Sequence, residues 1–296
     1  MSSTPRPRRS VLYMPGSNAR ALEKGRSLAA DALILDLEDA VAPDAKEEAR
    51  RQILAAVAEG GYGQREIIVR VNGIETDWGE ADLKAMAASG ADAILLPKVE
   101  DARMIETAQK ILEDGGAPAE QSIMCMMETP RGILNANEIA GASEKVSCLV
   151  MGTSDLVKDL QAAHTRERLP VLTSLSLCVL AARANGIAIV DGVHLDLQDD
   201  EGFKAACEQG LELGFDGKTL IHPKTIDTAN DVFAPSKEEV EYSQRVIEAH
   251  REATAAGKGV VLLDGKLIEN LHVENAERLV RLSEMIAALE KDQKAS

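Results

Sequence analysis

Aromatic side chains are nearly missing: one Trp, three Tyr and three Phe in 296 residues. Stacking platforms for bases or sugars are therefore scarce, and the core must be aliphatic. No apolar run approaches the roughly 20 residues that a membrane span requires. The basic start MSSTPRPRRS leads into no long apolar stretch, so it does not read as a secretory signal. Positive charge is short as well. Lys and Arg number 33 against 49 Asp and Glu, giving a net charge of −16. Such a balance argues against a general nucleic-acid or anionic-membrane binder. The four cysteines, Cys125, Cys148, Cys178 and Cys207, stand far apart with no CxxC. They read as small buried hydrophobes in a reduced, cytoplasmic setting. The rest is ordinary for a globular chain: 45% hydrophobic and 28% charged, too apolar for disorder.

What is present has a beat. Short Ile-, Val- and Leu-rich runs close on polar residues at Asp36, Arg70, Lys98, Glu128, Asp155, Asp191 and His222, and SVLYMPG precedes them. The mean step is about 31 residues, one βα unit. Helical periodicity fills the gaps over Ala19–Ala29, Ala45–Glu59, Trp78–Ser89, Asp101–Glu113, Arg131–Ala140 and Glu201–Leu213, with an extra helix around Leu175–Arg183. Near-continuous apolar strands imply burial on both faces of a parallel sheet. Eight such units in about 225 residues predict an α/β fold of the TIM (β/α)8 type, with a doubly wound sheet as the alternative. The predicted barrel spans residues 9–256 and includes a charged helix, Lys237–Ala256, opened by Pro235–Ser236. Residues 257–296 form a small extension, in which Gly257–Lys258–Gly259 breaks the preceding helix. A hairpin turning at Asp264–Gly265 and a helix over Asn275–Lys291 follow.

Barrel closure would gather the strand ends on one face. Glu128 and Asp155 would then meet as hard oxygen donors with no His or Cys nearby, which suits Mg²⁺. The competing reading is a salt bridge to Arg70 or Lys98. Arg70 offers a planar fork for a carboxylate or an oxyanion, or serves as a structural partner of Asp36 or Glu38. Glu38 and Asp39, in LDLED, are placed to orient water on a metal or Arg70, and Asp39 is also a candidate helix cap. The first 26 residues are locally basic (Arg6, Arg8, Arg9, Arg20, Lys24, Arg26). The turn Pro15–Asn18, with Arg20 and Lys24 after it, reads as a phosphate seat or simply as a basic terminus. His222 at a strand end reads as scaffold ahead of base. Neither GxSxG nor HExxH is present.

RSVLYMPGSNARALEK, LDLEDAVAPDAKEEAR, VRVNG, LLPKVE, METPRGILN, MGTSDLVKDL, DGV and GFDGKTLIHPKTI occur in this order. Together they closely resemble the citrate lyase beta-subunit-like family, with the malyl-CoA lyases, in the HpcH/HpaI aldolase superfamily. The resemblance implies a TIM barrel with a C-terminal lid that can cover a neighbouring subunit's site, in homotrimers or hexamers. It implies that Glu128 and Asp155 bind Mg²⁺ (or Mn²⁺), that Arg70 holds an enolate or carbonyl oxygen, and that the Tyr13–Lys24 region meets coenzyme A. Where the family often carries Arg, this chain has Asn18, so Arg20 takes that phosphate contact. The implied substrates are a CoA thioester and a 2-oxo acid. The implied reaction is Mg²⁺-dependent cleavage of a malyl-CoA-type 3-hydroxyacyl-CoA to acyl-CoA and glyoxylate. Hydrolysis of (3S)-malyl-CoA and a citrate-lyase-like subunit role are the alternatives. The lyases' lid supplies an Asp to the neighbouring site; here the aligned residue is Glu269, either an acid/base acting in trans or a solvated hairpin residue.

Overall fold

A computed structural model describes residues 6–255 and 261–295, which divide into two compact units, Arg8–Phe233 and Ala234–Ala295. In the first, strand and helix alternate from β1 (Ser10–Pro15), α1 (Ala19–Gly25), β2 (Ala32–Asp36), α2 (Lys46–Glu59), β3 (Glu66–Arg70) and α3 (Gly79–Met86). The order continues with β4 (Ala93–Leu96), α4 (Ala102–Asp114), β5 (Ser122–Met127), α5 (Pro130–Leu134), α6 (Ala136–Ala140) and β6 (Val146–Met151). It ends with α7 (Thr153–Asp159), α8 (Leu172–Ala184), β7 (Ala188–Asp191), α9 (Asp200–Leu213), β8 (Gly217–Leu220) and α10 (Ile226–Phe233). All neighbouring strands are parallel, and β1 pairs with β8 through Val11 opposite Thr219. That pairing closes the ring and decides for a TIM barrel over an open doubly wound sheet.

The strands are largely apolar because each faces two cores. Val11, Ile34, Ile68, Leu95, Met124 and Val150 point into the barrel. Their neighbours Leu12, Leu35, Val69, Leu96 and Leu149 pack under the helices. The helices answer with one apolar stripe each, such as Ile105, Ala108 and Leu112 on α4, which Asp101 caps by accepting from Met104 N–H. At the amino end of the ring, buried Arg8 forks onto Glu66 and buried Arg9 onto Asp31.

Several boundaries differ from expectation. The helix predicted over Arg131–Ala140 is two, because Asn135 leaves helical geometry and donates its side-chain amide to Glu100 O. Helices α7 and α10 were not anticipated. Asp39 caps nothing: the next helical turn starts after Ala42, with no side-chain cap. Strand β6 ends at Met151, so Asp155 stands in the first turn of α7 rather than on a strand end.

The second unit holds α11 (Lys237–Ala255), the antiparallel hairpin β9 (Val261–Leu263) and β10 (Lys266–Ile268), and α12 (Asn270–Ala295). Ser236 and Glu239 exchange bonds in a capping box that starts α11. Asp264 (φ 51°) and Gly265 (φ 77°) form the left-handed turn that a two-residue hairpin demands. Val246, Val261, Ile268, Val273 and Ala276 share a small core. Helix α11 therefore groups with the hairpin and α12 in a compact unit that starts at Ala234, whereas the sequence reading counted this helix with the barrel. The predicted breaker Gly257–Lys258–Gly259 lies outside the described residues. Among the described residues no helix is long and apolar enough to cross a membrane.

Candidate functional site

Parallel register sets Asp36, at the end of β2, beside Arg70, at the end of β3. The Arg70 guanidinium forks onto Asp36, with Nε to Oδ1 and Nη2 to Oδ2 both at 2.6 Å. Asp36 also accepts the N–H groups of Glu38 (2.9 Å) and Ala40 (3.1 Å), so its oxygens are fully engaged. The remaining edge of Arg70 faces Glu38 Oε2 at 2.8 Å and Asp39 Oδ2 at 3.5 Å. Its face lies over the Tyr13 ring at 4.9 Å. Burial disfavours the Arg70 charge, but Asp36 and Glu38 outweigh it and hold the group well above its ordinary value. Burial likewise raises the Tyr13 phenol, against the pull of Arg70. Behind this segment, Lys46 Nζ donates to the carbonyls of Leu37 (2.8 Å) and Glu38 (2.7 Å), and Asn72 Nδ2 donates to Leu37 O (3.0 Å).

Glu128 follows β5 and is 2% exposed. Its Oε1 accepts the main-chain N–H of Lys98 at 2.8 Å. Burial, and then the charge of Glu38, push the Glu128 carboxyl up to about 7. Gly152 makes room for it: a Cβ there would sit 2.4 Å from Glu128 Oε2. Lys98 holds a left-handed backbone, φ 47°. Its ammonium lies 2.7 Å from Glu38 Oε1 and 3.7 Å from Asp155 Oδ2. The salt-bridge alternative thus holds in part for Asp155, while Glu128 meets Lys98 only through the main chain. Arg70 is the partner of Asp36, and it also lines the cavity described next.

Several of these groups line one cavity of about 390 Å³. Tyr13, Asp36, Asp39, Arg70, Glu128 and Asp155 form its polar wall, and Met126, Met151, Val193, Leu195 and Ile221 its apolar wall. Among the described residues no group of three or more His, Cys, Asp and Glu is arranged to hold a metal. Mg²⁺ does not require one, because it keeps several waters and takes one or two carboxylates. The oxygen donors of Glu128 and Asp155, the raised Glu128 carboxyl, and four carboxylates (Asp36, Glu38, Asp39, Asp155) that share Arg70 and Lys98 as ion-pair partners among the described residues all fit a divalent cation.

The other candidate residues are placed differently. Arg20 and Lys24 are exposed on α1, which Asn18 caps by accepting from Ala21 N–H. Of the basic N-terminal set, Arg8 and Arg9 are consumed in buried pairs, and Arg26 pairs with Glu23 and Glu59. His222 is exposed, and its Nδ1 accepts Lys224 N–H to start the turn Pro223–Thr225, a scaffold role. Glu269 is exposed in the second unit, ahead of α12, and its N–H donates to His272 Nδ1 at 3.0 Å. Sequence reasoning missed Lys98 as a site residue, the Lys46–Asn72 brace and the Gly152 opening. It also missed a cluster around the buried Asp191, whose Oδ2 accepts from partly buried Arg168 Nη1 (2.6 Å) and buried Lys218 Nζ (2.8 Å). The only local signals were the charged residues at strand ends, Lys98 in LLPKVE among them.

The HpcH/HpaI aldolase/citrate lyase model matches residues 9–223. A (3S)-malyl-CoA thioesterase from Cereibacter sphaeroides (strain KD131) is 50% identical over 97% of this chain and 99% of its own. Citrate lyase subunit beta of Escherichia coli K12 is 36% identical over 95% and 94%. The crystal structure of CitE from Mycobacterium tuberculosis, in complex with magnesium, acetoacetate and coenzyme A, superposes with TM-score 0.72 at 28% identity. It covers 93% of this chain and 97% of its own. The ring of eight strands and the ordered motifs at its mouth agree with these matches: the chain belongs to the HpcH/HpaI aldolase/citrate lyase family.

Proposed function

We propose that the chain hydrolyses a malyl-type CoA thioester, releasing the free acid and coenzyme A, in a Mg²⁺-dependent reaction. The sequence expectation put carbon–carbon cleavage first. The order is reversed here because relatives sharing half the residues over nearly the full length carry the thioesterase name. Cleavage to acyl-CoA and glyoxylate is the second reading, favoured by the lyases of the same family. The observation that carries both is the shared cavity, where two carboxylates suited to a hard cation adjoin a clamped Arg70.

Glu128 and Asp155 would hold Mg²⁺ (Mn²⁺ as a substitute). When bound, the ion withdraws electron density from substrate oxygens. Arg70, fixed by Asp36, presents its guanidinium where negative charge develops, on the thioester oxygen in hydrolysis or the enolate oxygen in cleavage. Glu38 and Asp39 keep Arg70 aligned and orient water. In hydrolysis the water oxygen bonds to the acyl carbon as the C–S bond breaks. Glu269 accepts the water proton and returns one to the departing sulfur. Tyr13 adjoins the thioester, and Arg20 with Lys24 meets the coenzyme phosphates. In a homotrimer or hexamer, Glu269 of one copy serves a neighbour's site.

Purified protein, Mg²⁺ and malyl-CoA separate the readings, with phenylhydrazine trapping glyoxylate and a thiol reagent trapping free CoA. Hydrolysis gives thiol without glyoxylate, and lyase activity gives the reverse. Neither product would replace both with a CoA-ester-binding subunit. Asp155→Ala should abolish Mg²⁺-dependent turnover in a folded protein; retained turnover removes Asp155 from the metal site.

A further inference from the structure

Three features converge on Lys98. Its backbone occupies the left-handed region at φ 47°, where a non-glycine residue is strained unless its surroundings impose it. Its main-chain N–H is spent on Glu128 Oε1 at 2.8 Å. Its ammonium is shared unequally, 2.7 Å from Glu38 and 3.7 Å from Asp155. The first two features fit together, since the left-handed turn lets one residue aim its N–H at one carboxylate and its side chain at two others. The third sets up a conflict. Asp155 cannot serve an ammonium and a divalent cation equally well, because the two positive charges repel across a few ångströms.

We propose that Lys98 is a positioning residue that competes with the divalent cation for Asp155, keeping metal affinity low and coupling metal arrival to transfer of the ammonium fully onto Glu38. Glu38 in turn faces Arg70 Nη1 at 2.8 Å. Arrival of the metal is thereby relayed through Lys98 and Glu38 to the guanidinium that meets the substrate oxygen. The inference rests on the metal-dependent reading above and adds a residue outside the carboxylate pair.

The test is Mn²⁺ binding to the full chain, followed by electron paramagnetic resonance without substrate. Lys98→Met removes the ammonium and keeps the N–H. Lys98→Gly does the same and accepts the left-handed backbone without strain, so folding does not limit the result. In both, the Mn²⁺ dissociation constant should fall on the order of tenfold, as expected from removing a unit charge a few ångströms from a divalent ion. The same variants should lose kcat, because Glu38 and Arg70 are no longer tied to the metal. Lys98→Arg should keep the wild-type affinity. Tighter binding with slower turnover is a pattern that a merely structural lysine would not produce. An unchanged or weakened Mn²⁺ affinity in Lys98→Gly overturns the inference while leaving the metal-dependent reading intact. A wild-type protein that binds no Mn²⁺ overturns that reading, and the inference with it.

Discussion

Gly152 should not tolerate even one methyl group. Its backbone angles, φ −104° and ψ 70°, are accessible to alanine, so the effect of Gly152→Ala is steric rather than conformational. The new Cβ would lie 2.4 Å from both Cβ and Oε2 of Glu128, and 3.0 Å from Met126 Cε. Glu128 Cβ is tied to the chain just after β5 and cannot swing aside like the tip of a flexible side chain. Either the carboxylate leaves Lys98 N–H or β5 and β6 move apart. Overpacking of this kind costs about 1–3 kcal/mol, and loss of a hydrogen bond to a charged group about 1.5–3 kcal/mol. Relaxation relieves one at the expense of the other, so about 2–3 kcal/mol is expected in urea unfolding, read as a shifted midpoint with unchanged m. A 1 Å displacement of the carboxylate should cut turnover about a hundredfold and weaken Mn²⁺ binding. Stability within about 0.5 kcal/mol of wild type, with unaltered turnover and metal affinity, would refute the packing argument.

Asp191→Asn would leave buried Lys218 and partly buried Arg168 without their counterion, and a loss of about 3–5 kcal/mol is expected by chemical denaturation. A loss below about 1 kcal/mol would show that the cluster is not coupled. Lys218 and Arg168 outweigh burial and hold the Asp191 carboxyl below its ordinary value, so its contribution is complete above the unfolded value near 3.9 and disappears as pH falls further. Glu128 has the opposite sign. With its carboxyl pushed up to about 7, the folded metal-free protein binds the extra proton, so stability should decline as pH rises from about 4.5 to 7. Mg²⁺ should therefore raise the melting temperature more at pH 8 than at pH 5, and equal shifts at both would contradict the assignment. Glu269→Gln should lower kcat more than it raises KM if the carboxylate moves protons; unchanged kcat would leave Glu269 a solvated hairpin residue.

The barrel was legible because strands buried on two faces cannot hide their composition. ALILD, EIIVR and AILL recur at βα spacing, and their apolar runs need no partner to be recognised. The polar residues that close the runs were legible for the same reason, which is how Arg70 and Glu128 could be grouped across long separations; Asp155, expected at a strand end, stands instead in the first turn of α7. Local boundaries were less so: Asn135 splits one predicted helix by a bond to Glu100 O, a contact no helical period encodes.

The sequence alone determined the eightfold succession of βα units and the family, since hydrophobic periodicity and motif order are properties of neighbours along the chain. Only the tertiary structure decided what each charge meets. Arg70 chose Asp36, Lys98 turned its N–H to Glu128 and its ammonium to Glu38, and Gly152 left the space that Glu128 occupies. Hydrogen-bond geometry and steric exclusion act over a few ångströms between residues tens of positions apart, and closure of the ring is what sets those distances.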